Sequence, residues 1–458
     1  MRPSLLAALA ALAVFTFAPA AQAGPLTDTC RGVNEVLHGP CRGGEQAVSF
    51  ASAVTGLSAV DVTPFEGSWA HRALGLQYDL AGDVGLRDAP WVGTHNSFNS
   101  VAEMGPTLSD VDSNQQLTLV DQLRIGVRSL ELDVHWFPAL AELGARAPVV
   151  CHARGADQAH LGCSIEKTLG PVLREIRGWL NGNPGDVLLL YLEDHLEGAA
   201  GYGAGAAAVE AQLGELLYRP PSSGAACDEL PLDLTRDAVS AAGKQVVVVS
   251  DCGVGAVWRA VAFDWSSHVE SRPRGFQDFP DCGPDFDRET YESQIVRYFE
   301  DSTALTASLA PLGQSSVDDG ITPATAARMA RCGVDLTGLD QLVPSDGRLE
   351  ALVWSWAPDE PAADAGDCSV QGANARWEAR DCGELHPVAC RAADGAWTVA
   401  GPPVQADDAA ASCTATGAEH AVPRTGFENE LLRVAAAGGE VWLGQRRDGA
   451  GWTALDER

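Results

Sequence analysis

The sequence predicts an α/β fold built on a parallel sheet, followed by a smaller region of different texture. Three observations carry this. Short apolar runs bounded by polar punctuation recur along most of the chain, as in strands buried on both faces. Amphipathic helical patterns lie between them, giving the strand, helix, strand rhythm of βα units. From about residue 359 that rhythm stops, and Cys and Trp become more frequent.

The chain has 458 residues, 46% of them hydrophobic, enough for one large core and a second small one. Residues 1–23 carry one basic residue, Arg2, an apolar stretch and an Ala-Gln-Ala ending, the pattern of a secretory signal peptide. All 12 cysteines follow it, as expected of a disulfide-bonded chain in an oxidising compartment. The local pairs Cys30/Cys41, Cys151/Cys163 and Cys368/Cys382 are candidates for bridging. With 62 acidic and 31 basic residues, the formal charge of −31 argues against nucleic acid as a partner and against electrostatic docking on anionic membranes.

The strand candidates are 90–94, 129–134, 148–151, 186–192, 244–250 and 349–356. The clearest helix is 165–180, where Ile165, Leu169, Val172, Leu173, Ile176 and Leu180 share one face and "NGNPGD" stops it. The Gly/Ala-rich 197–208 and the Pro/Ser-rich 219–226 read as surface insertions.

Four of the strand candidates end in polar residues. These are His95 and Asn96 in "WVGTHNSF", Glu131 and Asp133 in "SLELDVHW", His152 in "PVVCHA", and Glu193, Asp194 and His195 in "DVLLLYLEDH". In parallel sheets and (β/α)8 barrels the C-terminal strand edge is where sites are built. Glu131 and Asp133 are two apart and share a strand face. Burying both is costly unless a cation lies between them. Asn96 and Glu193 would complete an oxygen-rich set suited to Ca²⁺ or Mg²⁺ rather than Zn²⁺. Glu193 and its neighbour Asp194 compete for the last place. His135 and His195 are read as supporting or structural.

"GTHNS", "RSLELDVHW", "VVCH" and "LYLEDH", in this order, resemble the catalytic half of the phosphoinositide-specific phospholipase C family, and within it the calcium-dependent branch. The resemblance implies a (β/α)8 TIM barrel over 24–357. It also implies His95 and His152 as catalytic histidines, with Asn96, Glu131, Asp133 and Glu193 around Ca²⁺. The metal-independent branch places an arginine where the metal would sit; the matching position here is Asp133. The implied reaction is attack of an inositol 2-hydroxyl on the adjacent phosphorus, releasing diacylglycerol and an inositol phosphate. "GKQVVVVSDCG" has no Lys inside the strand, which points to plain phosphatidylinositol over its multiply phosphorylated forms. Glycerophosphodiester phosphodiesterases and sphingomyelinase-D-like lyases are alternatives on the same fold.

Residues 358–458 resemble a C-type lectin domain with its halves in unusual order, through a Glu-Pro, "RWEARDC", "PVACR" and "VWLG". The implied module is a small disulfide-rich α+β domain, either a glycan binder or a structural cap. Ala362 follows the Glu-Pro where a lectin would carry a sugar-coordinating residue. An inactive barrel presenting a glycan-binding module is the remaining reading.

Overall fold

The computed structural model describes residues 60–104, 113–152, 161–266, 268–270, 276–283, 294–303, 320–449 and 451–455. The signal-peptide segment and the Cys30/Cys41 pair lie outside them.

The first sheet is parallel and curled. Its strands are β1 (Trp91–Thr94), β2 (Ser129–Pro138), β3 (Arg146–Val150), β4 (Leu188–His195), β5 (Leu217–Tyr218), β6 (Val246–Ser250), β7 (Phe263–Asp264), β8 (His268–Glu270), β9 (Ile295–Phe299) and β10 (Leu336–Leu339). Neighbours follow chain order through β1, β2, β4, β6 and β7, then β8, β9 and β10, and β10 pairs back to β1. Among the described residues eight parallel strands therefore surround one axis, with the short β5 pairing parallel to the start of β6. Among the described residues β7 and β8 do not pair, so the expected (β/α)8 barrel is open at that seam. Trp91, Leu189, Val247, Val249, Ile295 and Leu336 fill the interior. Leu130, Leu132, Val134, Leu190, Leu192 and Val248 face outward into the helix-covered layer. This alternation is the period of two that lets a strand bury both faces.

Several sequence expectations need correction. The run at 148–151 belongs to β3, which is antiparallel to β2, a hairpin partner rather than a member of the parallel series. The 349–356 run is not a strand: one helical turn, Arg348–Ala351, leads into irregular chain. Its apolar character comes from position, since Leu349, Val353, Trp354 and Trp356 are buried where the two sheets meet. Periodicity alone cannot separate such a run from a buried strand. The helix begins at Leu169 rather than 165, and Ile165 is 58% exposed. The 197–208 stretch is the helix Gly198–Leu213, half-buried through Tyr202, Ala206, Val209 and Leu213. Its glycines allow close approach: a Cβ at Gly201 would lie 3.2 Å from the Trp136 ring.

The second sheet comprises β11 (Cys368–Gln371), β12 (Trp377–Arg380), β13 (His386–Arg391), β14 (Trp397–Val404), β15 (Glu419–His420), β16 (Val441–Asp448) and β17 (Gly451–Ala454), antiparallel except for β13 beside β16. Cys368–Cys382 and Cys390–Cys413 cross-link it. The barrel side holds Cys151–Cys163, Cys227–Cys252 and Cys282–Cys332. The two sheets share one hydrophobic core, with Trp354 edge-on to Trp377 at 5.4 Å. Asn429 knits the junction, donating to the Trp354 and Ala375 carbonyls and accepting from Trp377 Nε1 and Gln371.

His420 makes this second module acid-sensitive. Burial lowers its pKa from 6.5 to about 4, against a backbone hydrogen bond at Trp442 that favours the charged form. Below pH 6.5 the unfolded chain takes a proton that the folded chain refuses, so stability falls as pH drops from 6.5 towards 4. This one group should cost about 2 kcal/mol between pH 7 and 5. Denaturant titrations of wild type and His420→Phe at the two pH values check it: the variant should lack that share of the loss. Equal losses would show that His420 is not the sensor.

Candidate active site

"THNS" divides into scaffold and site. Thr94 Oγ1 donates to Gln122 Oε1 at 2.7 Å and lies 2.7 Å from Ser97 Oγ, which accepts from the Glu131 N–H at 2.9 Å. Thr94 and Ser97 thus tie β1 to β2. Asn96 sits at φ 43°, in the left-handed region that Asn tolerates better than most residues. That turn lets its N–H donate to Glu131 Oε2 at 3.1 Å. His95 and Asn96 are left at the sheet's C-terminal edge.

Glu131 and Asp133 point inward from β2, each only 3% exposed, while Leu130, Leu132 and Val134 point out. The β2–β4 register sets Asp133 beside Glu193. One carboxylate oxygen from each of Glu131, Asp133 and Glu193 falls within 4.8 Å of the others. Glu193, not Asp194, therefore completes the trio. Asp194 turns away to accept from Tyr202 Oη at 2.6 Å and from Ser250.

Burial raises the pKa values of Glu131 and Asp133, and Glu193 adds repulsion to both. Glu193 is held low by its hydrogen bond to His195. The amide of Asn96 is the fourth oxygen-bearing group. With its oxygen turned towards Asp133 it would present an acceptor to acceptors. With the amide turned the other way, its nitrogen donates to Asp133 Oδ1 and Oδ2 at 2.9 and 3.0 Å. In that orientation the amide oxygen accepts from His95 Nε2 at 3.3 Å, and it would have to turn back towards the trio to serve as a ligand. The three clustered carboxylates, with no thiolate, fit a hard cation such as Ca²⁺.

His95 meets a residue that the sequence reading missed. Its Nδ1 lies 3.2 Å from Asp340 Oδ2, one residue past β10, and its ring stacks on Phe299 at 5.6 Å. Asp340 Oδ2 also accepts from the Ser302 N–H at 2.7 Å, and Oδ1 from Gln115 at 3.3 Å, so the carboxylate is fixed before it meets the imidazole. Burial would lower the His95 pKa, but Asp340 and Glu131 outweigh it and push it up to about 10. Burial raises Asp340 to about 7, against the pull of His95. The close approach of β9 and β10 needs Gly338, where a Cβ would lie 2.0 Å from the Phe299 ring.

His152 stands at the same edge, immediately after Cys151, whose N–H donates to the Asp133 carbonyl at 3.2 Å. The Cys151–Cys163 bridge anchors it, and its charge reaches His135. The described contacts do not join His152 to His95. "GLDQ" was the available signal for Asp340, an acid at the end of an apolar run, but Asp335, Thr337 and Gly338 hid the strand.

Residues 48–346 match the family model described as the Rv2075c PI-PLC-like domain. The uncharacterized protein Rv2075c of Mycobacterium tuberculosis strain H37Rv is 45% identical over 389 residues, covering 82% of this chain and 79% of that one; the uncharacterized protein MT2135 of strain CDC 1551 gives the same figures. Among solved structures, a phosphatidylinositol-specific phospholipase C from Listeria monocytogenes is 13% identical with a TM-score of 0.38, covering 61% of this chain and 97% of that chain. A calcium-dependent phosphoinositol-specific phospholipase C from Pseudomonas sp. is 13% identical with a TM-score of 0.33, covering 59% and 95%. On the family model and the mycobacterial relatives, this chain belongs to the Rv2075c PI-PLC-like domain family.

Proposed function

We propose that this chain is a secreted, calcium-dependent phospholipase C that cleaves phosphatidylinositol. The observation that carries the reading is the meeting of the His95–Asp340 pair with the Glu131, Asp133 and Glu193 carboxylates at one sheet edge. Asn96, Glu131, Asp133 and Glu193 would hold Ca²⁺, which supplies acidification of the inositol 2-hydroxyl and offsets charge on the reacting phosphate. Asp340 takes the Nδ1 side of His95, and Nε2 faces the Asn96 amide at 3.3 Å and Glu131 Oε2 at 3.8 Å, on the side of the carboxylate trio where substrate phosphate would enter. There His95, kept protonated by Asp340 and Glu131, would act as the cation that steadies the phosphoryl oxygens; it would act as base only where the bound cation offsets the neighbouring carboxylate charge. His152 is assigned proton donation to the departing diacylglycerol oxygen. The diester P–O bond to glycerol breaks as the 2-hydroxyl oxygen bonds to phosphorus, giving an inositol cyclic phosphate.

A lipid surface as transient partner is supported by the rim of this edge. Leu140 and Leu143, between β2 and β3, are 63% and 99% exposed, and Val254 and Val257, after β6, are 52% and 56% exposed. Residues 358–458 are read as a cap rather than an active lectin. Glu360 Oε2 accepts from the Ala362 and Ala379 N–H groups at 2.8 and 3.1 Å, which ties this carboxylate into the fold of the module. The five disulfides among the described residues support the extracellular assignment. No helix among the described residues is long and apolar enough to cross a membrane.

The test is release of water-soluble inositol phosphate from phosphatidylinositol vesicles, with calcium and with chelator. Chelator should abolish release, and Asp133→Asn should raise the calcium requirement on the order of tenfold or more. Release that ignores chelator would remove the metal. Release only from glycerophosphodiesters or sphingolipids would move the chain to those activities.

A further inference from the structure

The carboxylate trio is unevenly held. Glu131 and Asp133 are 3% exposed inside the sheet, whereas the Glu193 side chain is 40% exposed. A half-exposed glutamate loses rotamer freedom when it becomes a ligand, which weakens the site unless the side chain is already fixed. His195 is placed to fix it. The two residues are two apart on β4 and share a face, and His195 Nε2 lies 3.0 Å from Glu193 Oε1. The strand register repeats the arrangement across the sheet, setting His135 beside His195 just as it sets Asp133 beside Glu193. The His195 ring stacks on His135 at 4.5 Å with 25° between planes, and His135 is 1% exposed. A pair of carboxylates is thus backed, one step further along the same two strands, by a pair of stacked imidazoles.

We propose that His195 is a positioning residue for the cation site. It donates to Glu193 Oε1 and leaves the second oxygen to meet the cation beside Glu131 and Asp133, and His135 is the buried slab that sets the angle of its ring. Hydrogen-bond partners of ligand side chains tune affinity in this way. The inference rests on the reading of the trio as a cation site. An exposed ion pair with no such role would contribute little to anything measurable.

The experiment is a calorimetric titration of the full chain with Ca²⁺ alone, without substrate, alongside the thermal midpoint of the calcium-free protein. His195→Ala should weaken calcium binding about 10- to 100-fold with the calcium-free midpoint unchanged. His195→Gln keeps an N–H donor at similar reach and should recover most of the affinity. His135→Phe keeps a flat ring and should bind close to wild type. If His195→Ala binds calcium as wild type does, the positioning role is overturned and the cation site stands. If His195→Ala lowers the calcium-free midpoint and Gln restores no affinity, His195 is structural and the proposal falls. If wild type binds no calcium, the cation reading and this inference fall together.

Discussion

His95→Ala should lower phosphatidylinositol turnover by about 10²- to 10⁴-fold, the usual worth of a positioned proton-transfer group. The loss should be chemical rather than structural. His95 lies at the sheet edge, and its side chain is 17% exposed. Thr94 and Ser97, not His95, make the bonds that hold β1 to β2. The thermal midpoint should fall as well, because the buried Asp340 loses the imidazolium paired with it, so turnover is compared well below that midpoint, where the variant is folded. Asp340→Asn should cost less and should move the pH profile. Asp340 is the largest influence raising the His95 pKa towards about 10, so removing its charge lowers that pKa. The limb of the rate profile belonging to His95 then shifts to lower pH. A pH–rate series on wild type and the two variants measures both effects. Normal turnover by His95→Ala would take this residue out of the reaction, and with it the reading of "THNS" as catalytic.

The candidate residues could be picked out in the sequence because they stand at strand ends in order: "THNS", "ELD", "CH" and "LED" are polar breaks after apolar runs. The Glu131–Asp133 pair follows from strand periodicity, since the two must share a face, while the choice of Glu193 over Asp194 comes from the β2–β4 register. What was illegible is what only tertiary packing decides. β10 is not among the strand candidates because Asp335 and Gly338 interrupt its apolar run, yet Gly338 is there so that Phe299 can lie against the strand. β9 carries Arg297 inside a buried strand, which a sequence reading rejects. The ring faces of Tyr191, Trp265 and Phe299 surround that guanidinium at 5.2, 5.6 and 4.8 Å. Missing these two strands meant missing Asp340. The opposite error, at 349–356, came from reading burial between two sheets as burial within one. Only packing distinguishes them.

Arg348→Ala should destabilise the protein by about 3–5 kcal/mol, the cost of leaving buried carboxylates without their cation. Arg348 is fully buried, and its guanidinium spends its donors on Glu300, on Asp346 Oδ2 at 2.6 Å, and on the Asp340 and Gln341 carbonyls at 2.9 and 3.1 Å. Glu300, equally buried, accepts from the Ile321 N–H at 2.6 Å and the Asp340 N–H at 2.7 Å. Removing Arg348 strands the Glu300 charge and loosens the backbone on both sides of Asp340, the residue that orients His95. Arg348→Lys should rescue little, because an ammonium cannot serve four acceptors arranged around a planar fork. Adding Glu300→Gln to Arg348→Ala should return part of the lost stability. The stranded charge is then gone, and the remaining amide oxygen still accepts a backbone N–H. Urea denaturation of the single and double variants measures the coupling. A single-variant loss within about 0.5 kcal/mol, the range of an ordinary surface change, would mean that the network carries no such load. If the loss is as large as expected, the same residue that holds the fold behind β10 also holds the His95–Asp340 pair in front of it. Residual turnover of Arg348→Ala under folding conditions should then fall with the pH profile of Asp340→Asn rather than that of wild type.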